Sequence, residues 1–243
     1  MVEGGSTIGA AKPPAIRRLL RELLDIPAVI TAPLRRPLVS QRCGNGEAVL
    51  IIPGFLSDDN ATSLLRRSFD AAGFRAFGWR NGFNTGVTLD LLDRLNARLE
   101  AVAGEKGGPV ILVGWSLGGL YARALANHRP DLVSMVITMG SPFSGSLRAN
   151  HAWRLYQWIN GHAVDNLPIP VDFRTKPPVP TIAFWSPRDG VVAPACSRGE
   201  PGESDERMEY PGTHMGFCVS ERGVKAVVNL LLDRVAASPV RPD

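Results

Sequence analysis

Residues 110–119 read VILVGWSLGG: four apolar side chains, then a serine fenced by glycines at 114, 118 and 119. Val110 to Val113 has the uninterrupted apolar character of a strand buried on both faces, as in a parallel sheet covered by helices. The residues after Ser116 carry a helical pattern that closes near His128-Arg129-Pro130. A turn that drops straight from strand into helix strains the backbone at the serine and requires small neighbours two residues either way. Gly114 and Gly118 meet that requirement, and Gly119 adds clearance for helix packing. Such a serine stands at the carboxyl end of its strand. Its Oγ faces a helix N-terminus, where free N–H groups and the helix dipole favour developing negative charge. This strand–turn–helix setting makes Gly-x-Ser-x-Gly a nucleophile elbow rather than a chance pentapeptide.

Working outward, the same alternation repeats. AVLII, from Ala48, reads as a buried strand, followed by PGFLSDDN and a helix capped by Asn60 with Leu64, Leu65 and Phe69 inward and Gly73 as its stop. FRAFGW is the next strand. Thr88 opens a helix carrying Leu92, Leu95, Leu99 and Val102 and ending at Gly104. SMVITMG, TIAFWS and RMEY are later strands, and Ser220 to Ala237 is the closing helix. Strand–helix alternation of this kind predicts an α/β fold with a mostly parallel sheet flanked by helices. One interval breaks the rhythm: residues 144–179 hold Trp153, Tyr156, Trp158 and Phe173 and end in a proline cluster, which reads as a small cap inserted over the carboxyl edge. Ahead of the repeat lies an extension, residues 1–46. It has an unstructured start, an amphipathic helix over Pro13 to Ile26 and an irregular connector marked by Pro27, Pro33 and Pro37. Ile16, Leu19, Leu20, Leu23 and Leu24 share one face of that helix and are expected to pack on the domain, a membrane-surface or lid helix being the alternative.

Length and composition fit one domain spanning 1–243. A net charge of +4 is carried by scattered arginines rather than a dense basic block, which argues against a nucleic-acid surface. No apolar run is long enough to cross a bilayer, and the polar start lacks a signal core, so a cytoplasmic chain without a stable membrane anchor is expected. The three cysteines, Cys43, Cys196 and Cys218, form no disulfide framework; Cys196 and Cys218 either pair or, as a reducing compartment favours, stay free. No metal-ligand spacing is present.

A serine hydroxyl needs a base. Of four histidines, His128 ends a helix, His151 and His162 lie in the aromatic insertion, and His214 sits in the glycine-flanked loop YPGTHMGF after the last strand. His214 is therefore the candidate base. The acid that fixes its tautomer is assigned to Asp189, in SPRDGVV at a strand's carboxyl end. The corresponding slot after SMVITMG holds Ser141 and Pro142, and Asp58 and Asp59 read as starting the helix that follows them. Two backbone N–H donors must meet an oxyanion, and Leu117 and Phe55 are the candidates.

With IIPGF, GWSLGG, SPRDGVV and GTHMGF in that order, residues 47–235 resemble the α/β-hydrolase superfamily; PGF, GWSLGG and ITMGSPFSG together resemble small bacterial lipases and esterases. The resemblance implies a serine esterase that needs no cofactor and acts through an acyl-serine on a small-molecule ester. In it Ser116, His214 and Asp189 form the triad. Phe143, Trp153, Tyr156 and Trp158 are the expected substrate contacts. Pro53 stands where many relatives carry histidine before the oxyanion glycine, and the N-terminal region shows no first pair of strands, so a reduced sheet is expected. Amidases, thioesterases and acyltransferases use the same triad, and a hydrolase-fold ligand-binding protein is the reading of another class.

Overall fold

Ala48–Ile52 alternates between two cores, and that alternation sets the layers. Val49 and Ile51 point into one apolar cluster, while Ala48, Leu50 and Ile52 point into another on the opposite face. A strand that must be apolar on both sides reads as an unbroken run, which is why AVLII and VILVGW look alike. In this computed structural model, residues 11–38, 43–166, 168 and 173–237 are described. Among them the sheet has six strands: β1 (Ala48–Ile52), β2 (Arg75–Gly78), β3 (Val110–Trp115), β4 (Val133–Met139), β5 (Thr181–Trp185) and β6 (Glu206–Glu209). Their order is β2-β1-β3-β4-β5-β6, and every pairing is parallel.

Helices cover both faces. The helices α3 (Ser63–Ala71), α8 (Gly216–Val219) and α9 (Glu221–Ala237) bury Leu64, Phe69, Phe217 and Val227 against one. The helices α4 (Leu91–Lys106) and α5 (Leu117–His128) bury Leu95, Leu99 and Leu125 against the other. The sheet grows from β1 first toward β2 and then back toward β3, so the loops after β1 and β3 diverge at a switch point, where open parallel sheets form their ligand crevices. Register pairs Ile52 with Gly114, Trp115 with Met139 and Met139 with Phe184, so the loops beginning at Pro53, Ser116, Gly140 and Ser186 leave from one edge.

Several boundaries differ from expectation, each for a local reason. Thr88 precedes α4 rather than opening it: its Oγ1 donates to Asp90 Oδ1 at 2.7 Å, and Asp90 is the cap. Gly104 lies inside α4, which ends at Gly107 in a left-handed conformation. Asn60 sits in a turn closed by Asp58, and α3 starts at Ser63. The closing helix begins at Glu221, after the separate short turn of α8. The connector after residue 26 is helical. Here α1 (Ile16–Glu22) runs through a 3-10 turn (Leu23–Asp25) into α2 (Ile26–Thr31) and a second 3-10 turn (Ala32–Leu34). Pro27 and Pro33 each occupy the first turn of their element, where the missing N–H costs nothing.

The N-terminal helix is also turned over relative to the sequence reading. Glu22 is the residue of α1 that is buried, and Ile16, Leu20, Leu23 and Leu24 are exposed. Inward-facing polar contacts, described below, outweigh burial of the leucines. Helix α6 (Trp153–Asn160) lies in the expected insertion, of which residues 167 and 169–172 are outside the described set, as is the start expected to be unstructured, residues 1–10; the short α7 (Pro194–Arg198) stands between β5 and β6. Cys196 and Cys218 are both buried and free.

Candidate active site

Ser116 adopts φ 55° and ψ −121°, a left-handed conformation that a serine accepts only when its surroundings impose it, at a cost of about 1–3 kcal/mol. The surroundings are specific. A Cβ on Gly114 would lie 2.4 Å from Gly119 Cα, and one on Gly118 would lie 2.2 Å from Ile52 O, so any side chain at either position forces the turn apart. The Ser116 N–H donates to Met139 O at 2.8 Å, tying the turn to β4. Leu117 begins α5, and its N–H precedes any intrahelical acceptor.

His214 and Asp189 meet next to that turn. Nδ1 of His214 donates to Asp189 Oδ2 at 2.7 Å, and both side chains are buried. The other carboxylate oxygen, Oδ1, accepts the N–H groups of Val191 and Val192, each at 2.8 Å, so Asp189 cannot rotate away. A carboxylate accepts only, which assigns the hydrogen to Nδ1 and leaves Nε2 as the basic atom. Burial by itself lowers the imidazole pKa. The charge of Asp189, its hydrogen bond and the charge of Glu22 outweigh that burial and raise the pKa above the ordinary 6.5. Trp115 Nε1 donates to His214 O at 3.1 Å, and Gly140, at φ 59°, passes under the pair, where a Cβ would sit 2.9 Å from Nδ1. No hydrogen bond joins Ser116 Oγ to the ring; in free enzymes this contact commonly tightens only around substrate.

The loop after β1 approaches the serine closely: a Cβ on Gly54 would be 3.0 Å from Ser116 Cβ. Buried Asn84 braces this loop. Its Nδ2 donates to Pro53 O at 2.8 Å, its carbonyl accepts Leu56 N–H at 2.8 Å, and its own N–H donates to Ser57 O at 2.8 Å. Phe55 N–H donates to none of the described residues. Two unengaged backbone donors, at Phe55 and Leu117, thus flank the serine. A cleft of about 590 Å³, open mouth included, begins at Ser116. Its walls include Phe55, Leu117, Leu147, Trp153, Tyr156 and Val192.

A family model described as alpha/beta hydrolase fold matches residues 48–174, more than half of the chain. The chain belongs to the α/β-hydrolase fold family. No curated protein sequence matches it. Among solved structures, this hydrolase chain is similar to the monoacylglycerol lipase of Paleococcus ferrophilus, with a TM-score of 0.56 and 17% identity over 79% of this chain and 96% of that one. A soluble variant of the monoglyceride lipase from Saccharomyces cerevisiae gives 0.55 and 15% over 82% and 89%. The pyrethroid hydrolase PytH gives 0.56 and 16% over 80% and 99%. At these identities the likeness is one of fold.

The candidate site contains a residue that the sequence reading did not single out. Glu22, on α1, reaches under the loops that carry Asp189 and His214. Its Oε1 accepts Gly190 N–H and His214 N–H, each at 2.8 Å, and its Oε2 accepts Met215 N–H at 2.9 Å. Burial raises the Glu22 pKa, against the lowering effects of His214 and of the N–H groups of Met215 and His214. Asp25, one turn on, accepts a hydrogen bond from Thr213 Oγ1. Gly190 touches the same helix: a Cβ there would be 2.3 Å from Arg18 O. Apolar periodicity pointed to the opposite face, and a single acid between leucines carries no other signal.

Two expected substrate contacts are placed elsewhere. Trp158 is 81% exposed on the outer face of α6 and is not a wall of the cleft. Phe143 is buried behind Leu120, under the guanidinium of Arg123 at 4.4 Å from the ring centroid. Trp153 and Tyr156 do line the cleft, and Tyr156 Oη accepts Val87 N–H at 3.1 Å. The remaining histidines have other partners or positions: His151 Nε2 contacts Pro14 O at 2.8 Å, His162 packs edge-on against Tyr156, and His128 ends α5. Asp59 accepts the N–H groups of Trp79 and Arg80, both at 3.0 Å, and so anchors the end of β2.

Proposed function

We propose that the chain is a serine hydrolase of carboxylic esters. Ser116 is the nucleophile, His214 the base, Asp189 the acid that orients it, and the N–H groups of Phe55 and Leu117 the oxyanion donors. The observation that carries this reading is the buried Asp189–His214 hydrogen bond of 2.7 Å beside a serine held at φ 55° at a helix N-terminus. In the first half-reaction Ser116 Oγ attacks the ester carbonyl as its proton passes to His214 Nε2. The oxyanion forms against the two backbone donors, and the alcohol leaves with the proton from the imidazolium. Water, activated by the same nitrogen, then releases the acid from the acyl-serine. Reactants and products balance with water alone, so no cofactor is called for.

The cleft supports an ester with an apolar acyl part. Its walls are almost entirely aliphatic and aromatic, Trp153 and Tyr156 among them. Thioesters, amides and acyl transfer to an alcohol run on the same groups and are the competing activities. Labelling by a fluorophosphonate, together with a hydrolysis screen across aryl esters, acyl lengths, lactones and amides, tests the reading with Ser116→Ala as control. Stoichiometric labelling lost in the control, with esters turned over fastest, is expected. An unlabelled serine or a preference for amides would reject it.

A further inference from the structure

The outward side of the N-terminal helical run is an apolar stripe. Leu20 lies four residues after Ile16, Leu23 and Leu24 lie three and four after Leu20, Ile30 and Leu34 repeat the four-residue step beyond the first 3-10 turn, and each is more than half exposed, reaching 86% at Leu34. Contiguous apolar surface of this kind on a folded chain marks an interaction site.

The stripe cannot roll inward, because polar contacts fix the opposite side of the helix. Pro14 O contacts His151 Nε2 at 2.8 Å, Glu22 accepts its three N–H groups, and Asp25 accepts from Thr213. At the far end the Arg67 guanidinium donates to the carbonyls of Ala32, Pro33 and Arg35 at 2.7, 2.8 and 2.7 Å, satisfying the groups a helix end leaves open. The same contacts sort the charges. Both acids of residues 11–36, Glu22 and Asp25, face the domain, whereas the exposed charged side chains of that segment are Lys12, Arg17, Arg21 and Arg36, all cations.

We propose that this face docks on an anionic lipid surface, with the helix lying in the headgroup plane. Apolar side chains below the headgroups and cations at phosphate level are what such a surface accommodates. A second copy of the chain fits less well, since every exposed charge along the stripe is a cation and a two-fold contact through it would offer those cations no acid from the same segment of the other copy. Among the described residues no helix is long and apolar enough to cross a membrane, so the docking is peripheral. Because α1 packs on the loops of Asp189 and His214, it places the cleft's own edge of the sheet beside the lipid. The proposal stands without the ester reading.

The test is flotation of the full chain carrying Ser116→Ala with vesicles of phosphatidylcholine alone and of equimolar phosphatidylcholine and phosphatidylglycerol. Binding to the anionic vesicles is expected. A combined Leu20→Glu, Leu24→Glu, Ile30→Glu variant, with unchanged circular dichroism and melting point, is expected to lose about tenfold or more of it. Arg17→Glu with Arg21→Glu, or added salt, weakens binding to the anionic vesicles. Absence of binding, or equal binding by the triple variant, overturns the proposal. So does a dimer in light scattering that the triple variant converts to monomer, which would assign the face to a second copy. Hydrolysis of a soluble short-chain ester by the chain with Ser116 intact reads the ester assignment separately, so either reading can fail without the other.

Discussion

Replacing Glu22 by glutamine separates the helix's structural contribution from its electrical one. The amide oxygen can take the place of Oε1 and keep the N–H groups of Gly190 and His214, both at 2.8 Å. The amide nitrogen then faces Met215 N–H where Oε2 had accepted it at 2.9 Å, so two donors oppose each other. One charge-assisted bond is lost and one buried donor is orphaned, a cost of about 1–3 kcal/mol. For a chain of this size that lowers the melting point by roughly 2–4 °C per kcal/mol. Glu22→Ala orphans all three donors and leaves the backbone of His214 unsupported. A displacement of about 1 Å at such a group is worth on the order of a hundredfold in turnover. The charge has its own signature. Glu22 contributes to holding the His214 pKa above the ordinary imidazole value, and the base works only when neutral. Removing the negative charge therefore makes the imidazole easier to deprotonate and moves the acid limb of kcat/KM to lower pH in Glu22→Gln. A pH–rate profile on a soluble ester, with thermal melts alongside, measures both effects. A variant with the wild-type acid limb, kcat and melting point would refute the assignment of Glu22 as a positioning residue for the catalytic loops.

Ser116→Ala is expected to abolish ester turnover while leaving the melting point nearly unchanged, since alanine keeps the Cβ and the same backbone strain and loses only Oγ; more than a trace of residual activity would place the nucleophile elsewhere. His214→Ala should be nearly as severe, and the double variant no worse than either single one, because the two act as a unit. Asp189→Asn should fold and lose on the order of a thousandfold or more in rate: Val191 and Val192 N–H hold the amide oxygen, so its NH2 must face His214 and fix the wrong tautomer. Near wild-type rates there would mean that the imidazole is oriented by another group. Trp153→Ala should change the ratio of kcat/KM between long and short acyl esters, at about 0.8 kcal/mol per methylene left without contact, whereas Trp158→Ala, at the exposed outer face, should not. An equal effect of both would detach acyl selectivity from the cleft.

The parts of this fold legible in the sequence are those where one physical demand allows few residues. A strand covered on both faces must be apolar throughout, so β1 and β3 declare themselves. A serine at φ 55° needs glycines two residues away because backbone atoms stand 2.2 to 2.4 Å from where their Cβ atoms would be. His214 and Asp189 followed by elimination among four histidines and by position at strand ends, and the structure joins them at 2.7 Å. Boundaries were less legible where a hydroxyl or acid near a helix has two possible employments: Thr88 donates to the cap instead of being it, and Asn60 is held in a turn by Asp58.

The N-terminal helix failed the periodicity argument for a more general reason. Amphipathic reasoning assumes that the apolar face is the one that packs, because burying each leucine is worth about 1.5–3 kcal/mol. That holds when the surface offered to the helix is apolar. The surface beneath α1 is instead a set of backbone donors, Gly190, His214 and Met215, whose loops are exposed by the requirement to reach the sheet's edge. Donors covered by a leucine would be orphaned at about 1–3 kcal/mol each. A carboxylate there satisfies three at once, and Asp25 and the carbonyls that Arg67 grips add to the same side. Polar complementarity therefore selects the orientation, and the apolar stripe is what the helix has left to present outward. No window of sequence contains that choice, because the partners lie on average some 180 residues away along the chain. The consequence for the site is direct: the residues that shape the base loop come from the segment that looked least connected to it.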